Sequence, residues 1–88
     1  KIESVYSIGD NQAEIIHAKA LKSSRLVNKT LREANLPEGI RVGLIKRDNL
    51  IIVPNGETTI EMNDEIIFLS LMNDIEAAEE LFQVRDEY

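Results

Sequence analysis

The chain reads IRVGLIKRDNLIIV from residue 40 to residue 53, and this stretch specifies two antiparallel strands. Apolar side chains alternate with Arg41 and Gly43 in the first half, and residues 50–53 are again rich in side chains that favour strands. Asp48 and Asn49 separate the two halves, and both residue types tolerate a positive φ angle. The stretch therefore predicts a β-hairpin.

The next apolar run along the chain covers residues 66–72 and reads IIFLSLM. It has one polar member and follows two acids, which predicts a central strand that is buried on both faces. After it, Asn73 and Glu76 approximate a capping box at the start of a helix. The apolar stripe of this second predicted helix consists of Ile75, Ala78, Leu81 and Phe82.

Residues 14–21, before the hairpin, alternate with a period of two and predict another strand. Val27, Leu31 and Ala34 then follow at helical spacing, which predicts a first helix of two to three turns with Ser24 as its N-cap. Pro37 limits this helix, because the residue before a proline disfavours the α conformation. Residues 36–39 (LPEG) fit a type I turn with proline in the second position.

Taken together, the elements predict an α+β fold with a small mixed or antiparallel sheet of four to five strands and two helices. Residues 1–12 are expected to form an N-terminal linker or an edge strand, and residues 13–88 the domain itself. The chain begins with Lys1, without an initiator methionine. We therefore expect it to be part of a longer protein.

Composition excludes several classes of function. The chain has 88 residues, 43% hydrophobic and 30% charged, with no cysteine and one histidine. It therefore offers no disulfide, no thiolate metal site and no cysteine nucleophile, and we expect no metal. The net charge of −6 argues against a nucleic-acid partner, which needs a basic surface. No apolar run approaches 18 residues, so direct membrane insertion is not expected.

Charge is distributed unevenly along the chain. Residues 1–49 carry nine Lys/Arg and six Asp/Glu, a balance of +3, whereas residues 50–88 carry one arginine and ten acids, a balance of −9. Five cations and no acid lie from residue 15 to residue 32. This segment is the one part of the sequence that could offer an anion a locally positive surface. A solvated surface is the simpler interpretation.

The sequence supports no catalytic site. His17 lies in a predicted strand without a serine, a cysteine or a second histidine at a spacing that suggests a partner, so we interpret it as a structural or surface residue. The four glycines form no phosphate-binding loop. An apolar cleft at a subunit interface, bordered by Arg32 or Arg41, remains open, because guanidinium groups suit phosphate or carboxylate. Ordinary surface arginines are the alternative.

The order of these motifs resembles the TrkA C-terminal domain family, also called the RCK C-terminal domain family. The resemblance extends over residues 13–83 and depends mainly on turn markers. Asparagine stands at positions 28, 49 and 63, where the family often has glycine, and Glu57 replaces an aspartate. Asparagine tolerates left-handed backbone, so the turns are kept. The matching stretches are residues 26–31 (LVNKTL), 36–39 (LPEG), 52–58 (IVPNGET) and 63–67 (NDEII).

The resemblance implies a regulatory module of a potassium uptake system. Such a module forms a homodimer, binds a small anionic effector such as a nucleotide or a cyclic dinucleotide, and controls the gating of a potassium-translocating membrane subunit. It is cytoplasmic and peripheral to the inner face of the cell membrane. The NAD-binding unit that precedes this domain in the family is absent from these residues, so no cofactor is assigned to them. The matching ligand-binding positions are Arg32, Ile40, Arg41 and Pro54.

Three other functions remain open at this point. The same module can regulate another cation transporter or an antiporter. It can also act as an assembly domain that binds no ligand. An enzyme is the third and weakest interpretation.

Overall fold

The computed structural model describes residues 1–10 and 12–71. Within this part of the chain, the strands form one sheet in the order β1-β2-β5-β3-β4, and neighbouring strands are antiparallel. This confirms the predicted α+β class with a small sheet. The second predicted helix lies outside the described residues. The elements are β1 (Ile2–Ile8), β2 (Ala13–Lys19), α1 (Leu31–Ala34), β3 (Ile40–Arg47), β4 (Leu50–Ile52) and β5 (Glu65–Leu71).

The predicted hairpin is confirmed. β3 and β4 pair from Ile45 opposite Ile52 to Arg47 opposite Leu50, with two residues in the turn. Asp48 takes the left-handed conformation there, at a φ of 56°. Asn49, where the family often has glycine, does not.

β5 lies in the centre of the sheet and determines which face is buried. Its residues Ile66, Phe68 and Ser70 are buried on what we call the inner face of the sheet. This face is covered by α1 and by the segments 20–30 and 53–64, which contribute Ala34, Leu26 and Ile60 to the core. The prediction of a strand buried on both faces was wrong, because Leu69 and Leu71, on the opposite or outer face, are 46% and 59% exposed.

The first helix is shorter than predicted. It begins after Thr30, the observed N-cap, and ends at Asn35, which has a φ of 51°. Asn28 has a φ of 70°, which no α-helix accommodates, so the apolar stripe from Val27 is interrupted before the helix begins. Ser24 is not the N-cap and instead accepts a hydrogen bond from the amide of Leu26 at 3.2 Å.

The predicted proline turn at residues 36–39 lies one residue later than expected. The amide of Ile40 donates to the carbonyl of Pro37 at 3.0 Å, so proline is the first residue of that turn and not the second. A second turn spans residues 55–58, where the amide of Thr58 donates to the carbonyl of Asn55 at 3.1 Å. Pro54 lies immediately before this turn and outside it.

The N-terminal strand β1 lies at one edge of the sheet, paired only with β2 among the described strands. The division of the chain at residue 12 into a linker and a domain stays a prediction. In residues 1–10 and 12–71, no helix has the length and hydropathy needed to cross a membrane.

Candidate functional site

α1 is a single helical turn whose start is fixed by side-chain hydrogen bonds. Thr30 Oγ1 accepts from the amide of Glu33 at 3.1 Å, and the carboxylate of Glu33 accepts from the amide of Thr30 at 2.9 Å. This reciprocal capping box satisfies two amides that a helix start leaves without partners. Arg32 extends from this turn and its side chain is 67% exposed.

The segment that leads into α1 is hydrogen-bonded to the chain between the hairpin and β5. The amide of Asn28 donates to Ile60 and the amide of Leu31 to Thr58, at 2.7 and 2.9 Å. The amide of Arg32 donates to the carbonyl of Gly56 at 3.0 Å. These backbone bonds hold Arg32 over the turn that follows Pro54.

The Arg32 guanidinium lies directly against this turn. Its Nη2 atom is 3.0 Å from Glu57 Oε2, and the Glu57 side chain is 73% exposed. A Cβ atom placed on Gly56 would be 2.8 Å from the same nitrogen, so the absence of a side chain makes room for the guanidinium. We call the exposed area formed by Arg32 and residues 54–58 the Arg32 surface.

Hydrogen bonds within the turn fix the backbone of Glu57. Asn55 Oδ1 accepts from the amide of Glu57 at 2.8 Å, and Thr58 Oγ1 accepts from the amide of Asn55 at 3.0 Å. An asparagine that bonds two residues ahead is typical of an Asx turn. The turn therefore presents one carboxylate beside one guanidinium on a rigid backbone.

The structure brings together two of the four residues that the sequence suggested for ligand binding. Arg32 lies over the turn that follows Pro54. Pro54 itself is half-buried. Ile40 is only 4% exposed and belongs to the core. Arg41 is exposed, but its partner in the sheet is Leu69, which places it on the outer face and away from the inner face that α1 covers. The binding role of all four stays a prediction.

Glu57 was missed as a member of this surface because it is far from Arg32 in sequence. In the comparison with the family pattern, Glu57 stood out only as a replacement for aspartate. The motif of Asn55 followed by Gly56 was a usable signal, since this pair favours a tight turn that can carry a side chain back toward α1.

His17 lies on the outer face, and its Nε2 atom is 3.0 Å from Glu65 Oε1. Both side chains are about one-third exposed, at 34% and 39%. A lone histidine paired with one carboxylate fits the structural interpretation. In residues 1–10 and 12–71, no three metal-binding side chains come together.

Arg47 and Asp64 form a second ion pair that the sequence did not reveal. Arg47 donates from Nε and Nη2 to the two Asp64 oxygens at 2.9 and 2.8 Å, and Nη2 also donates to the carbonyl of Thr59 at 2.8 Å. The hydrogen bond to Asp64 raises the pKa of the Arg47 guanidinium above its ordinary value. The bond to Thr59 joins this ion pair to the residue that follows the Arg32 surface in the chain.

The sequence of the chain matches a known protein family. The family model for the TrkA-C domain matches residues 18–83. The Trk system potassium uptake protein TrkA of Azorhizobium caulinodans is 35% identical over 88 residues, which is 100% of this chain and 19% of that protein. The chain thus spans less than a fifth of the length of this relative.

Solved structures share the fold. The RCK_C domain dimer of S. agalactiae BusR, in complex with c-di-AMP, superposes with a TM-score of 0.68 at 24% identity, covering 85% of this chain and 95% of that one. A structure described as an RCK domain with cda has a TM-score of 0.59 at 30% identity, covering 76% and 96% of the two chains.

Proposed function

Because the chain belongs to the TrkA-C domain family, we propose that it is the regulatory ligand-binding and dimerisation domain of a potassium uptake protein. Its role is to control the gating of a membrane subunit that translocates potassium, from the cytoplasmic side of the membrane. Trk system relatives support the potassium assignment. The alternatives are regulation of another cation transporter or an antiporter, and assembly without a ligand.

The proposed effector is a cyclic dinucleotide, and the observation that carries this proposal is the exposed Arg32 guanidinium. A guanidinium donates two parallel hydrogen bonds to a phosphate, which makes arginine well suited to such ligands. One structural neighbour is a domain dimer in complex with c-di-AMP, which favours this class of anion over others.

The four proposed binding residues would contribute in different ways. Arg32 and Pro54 lie at the Arg32 surface and would contact the effector directly. Ile40 is buried in the core, so it would act only indirectly, through the packing of the domain. Arg41 lies on the outer face of its own chain. It therefore joins the site only if the dimer brings it from the partner chain or if its long side chain reaches around the end of the sheet.

A two-fold dimer suits a ligand that has two-fold symmetry itself. Each chain offers the same surface to one half of a cyclic dinucleotide, so one ligand contacts two copies of Arg32. Such a ligand shifts the arrangement of the two chains only if it binds one arrangement more tightly than the other. That difference in affinity is what would be transmitted to the membrane subunit.

Neither catalysis nor nucleic-acid binding forms part of the proposal. His17 is engaged with Glu65 on the outer face of the sheet, away from the Arg32 surface. The net charge of −6 also disfavours a nucleic-acid partner.

Calorimetric titration of the chain with c-di-AMP tests the proposal. We expect saturable heat, and Arg32→Ala should weaken binding at least about tenfold, since hydrogen bonds to charged groups contribute about 1.5–3 kcal/mol. Lys22→Ala is the matched control, because it removes one exposed positive charge elsewhere and should leave the affinity unchanged. Absence of heat with cyclic dinucleotides and mononucleotides alike would favour the assembly domain without a ligand.

A further inference from the structure

We propose that Glu57 competes with the anionic effector for the Arg32 guanidinium and thereby sets the affinity of the site. This inference rests on the proposed function, because it concerns the regulation of the same surface. It depends on three features of the described residues: the ion pair, the rigid turn that carries Glu57, and the absence of a side chain at residue 56.

The first feature is the ion pair itself. Arg32 Nη2 and Glu57 Oε2 are 3.0 Å apart, so the carboxylate occupies a position from which a phosphate oxygen would accept a hydrogen bond. A phosphate that binds this nitrogen must displace the carboxylate. If the carboxylate stays nearby, it also repels the incoming anion.

The second feature is the rigidity of the turn. The amide of Glu57 is held by Asn55 Oδ1 at 2.8 Å, and the amide of Thr58 by the carbonyl of Asn55 at 3.1 Å. The backbone at Glu57 is therefore fixed, and only its side chain rotates away from Arg32. A competing carboxylate held at such short range returns to the guanidinium whenever the effector leaves.

The third feature is Gly56. A Cβ atom at this position would lie 2.8 Å from Arg32 Nη2 and 3.3 Å from Arg32 Cζ. Any side chain here would push the guanidinium away from the turn. Glycine thus lets the guanidinium settle against the backbone, within reach of Glu57.

Exposure makes the competition reversible. The Arg32 and Glu57 side chains are 67% and 73% exposed, and an exposed ion pair has a small net strength. The pair is strong enough to lower effector affinity by a few fold and weak enough for a phosphate to break it. Its effect should also decrease with salt, which screens exposed charges.

The test is titration of the wild-type chain and Glu57→Gln with c-di-AMP at low salt. Glutamine keeps the shape of the side chain and removes its charge. Because the Glu57 side chain is 73% exposed, the substitution should leave the fold intact. We expect Glu57→Gln to bind c-di-AMP about fivefold more tightly than the wild type. In the absence of the guanidinium this gain should disappear, so Arg32→Ala/Glu57→Gln should bind no more tightly than Arg32→Ala. Glu3→Gln on β1 is the matched control for the change in net charge, and its affinity should equal that of the wild type.

The outcomes separate this inference from the proposed function. If the wild type binds c-di-AMP and Glu57→Gln binds equally or more weakly, the competition is wrong while the proposed function stands. If Glu3→Gln gains as much as Glu57→Gln, the gain comes from net charge and the inference is again wrong. If neither the wild type nor Glu57→Gln binds, both the proposed function and this inference fail.

Discussion

Asp64 shows how one buried carboxylate joins the end of β3 to the segment before β5. It is 1% exposed and accepts hydrogen bonds from Arg47 Nε, Arg47 Nη2 and the amide of Glu61, at 2.9, 2.8 and 2.9 Å. Removing one partner of a buried ion pair costs about 3–5 kcal/mol. The Arg47 side chain is 25% exposed, so water can partly solvate its charge after the carboxylate is removed. We therefore expect Asp64→Ala to lower the free energy of unfolding by about 3 kcal/mol, the lower end of that range, in urea denaturation.

Glu61 provides the control for this prediction. It also faces Arg47, with Glu61 Oε2 3.3 Å from Nη1, but its side chain is 56% exposed. Exposed pairs contribute about 0–1 kcal/mol, so Glu61→Gln should change stability little. Equal losses in the two variants would contradict the distinction between the buried and the exposed carboxylate.

The Arg47 charge itself is insensitive to pH over the range in which proteins are studied. Its pKa is raised in the folded state, so the stabilisation from this shift is fully present below the ordinary arginine pKa. It is lost only as pH rises through the raised value, in strong alkali.

At the residue scale, the sequence predicted backbone conformations better than side-chain partners. Asn28 and Asn63 have φ angles of 70° and 74°, as expected for asparagines at positions where the family often has glycine, whereas Asn49, the third such position, has no positive φ. That property depends on a residue and its chain neighbours. By contrast, Arg47 and Asp64 meet because β3 and β5 are adjacent in the sheet, and the partner of Arg32 became visible only when the turn at Asn55 was placed beside α1.

At the scale of elements, α1 depends on its surroundings. A helix of four residues is far below the length at which an isolated helix is stable. Its position is therefore determined by the capping box and by the backbone hydrogen bonds between the segments 28–32 and 56–60. Since Arg32 extends from this turn, the Arg32 surface is only as ordered as α1.

Thr30→Ala tests this dependence. The substitution removes the side-chain acceptor for the amide of Glu33, and the loss of an N-cap costs about 1 kcal/mol. We expect that decrease in the free energy of unfolding, with faster hydrogen exchange at the amide of Ala34, which donates to the Thr30 carbonyl. Ser23→Ala, at an exposed position, should change neither quantity. A Thr30→Ala variant indistinguishable from Ser23→Ala would contradict the role of the cap.

The hairpin was predictable and the helix bounds were not, for a physical reason. The alternation in β3 and the turn residue Asp48 are local signals that agree with each other. The stripe from Val27 to Ala34 looked helical, but the left-handed conformation of Asn28 divides it. Pairing with residues 56–60 determines where the helix begins, and that pairing joins segments that are distant in sequence.

At the scale of the whole molecule, the two faces of the sheet have different roles. The inner face carries the core and supports α1, whereas the outer face keeps Leu69 and Leu71 exposed in the described structure. The uneven charge of the chain leaves its first half mildly basic, and Arg32 belongs to that half. The turn beside Arg32, with Glu57, belongs to the acidic second half, so the Arg32 surface combines one residue of the basic half with residues of the acidic half.

Under the proposed function, one cyclic dinucleotide joins two chains at their Arg32 surfaces. Sedimentation equilibrium with and without c-di-AMP, with the bound ligand followed by its absorbance, tests it most directly. We expect a complex of twice the 10.0 kDa chain mass that contains one dinucleotide per two chains, and less bound ligand in Arg32→Ala at the same ligand concentration. A complex of one chain with one dinucleotide, or the same stoichiometry and affinity in Arg32→Ala, would contradict it.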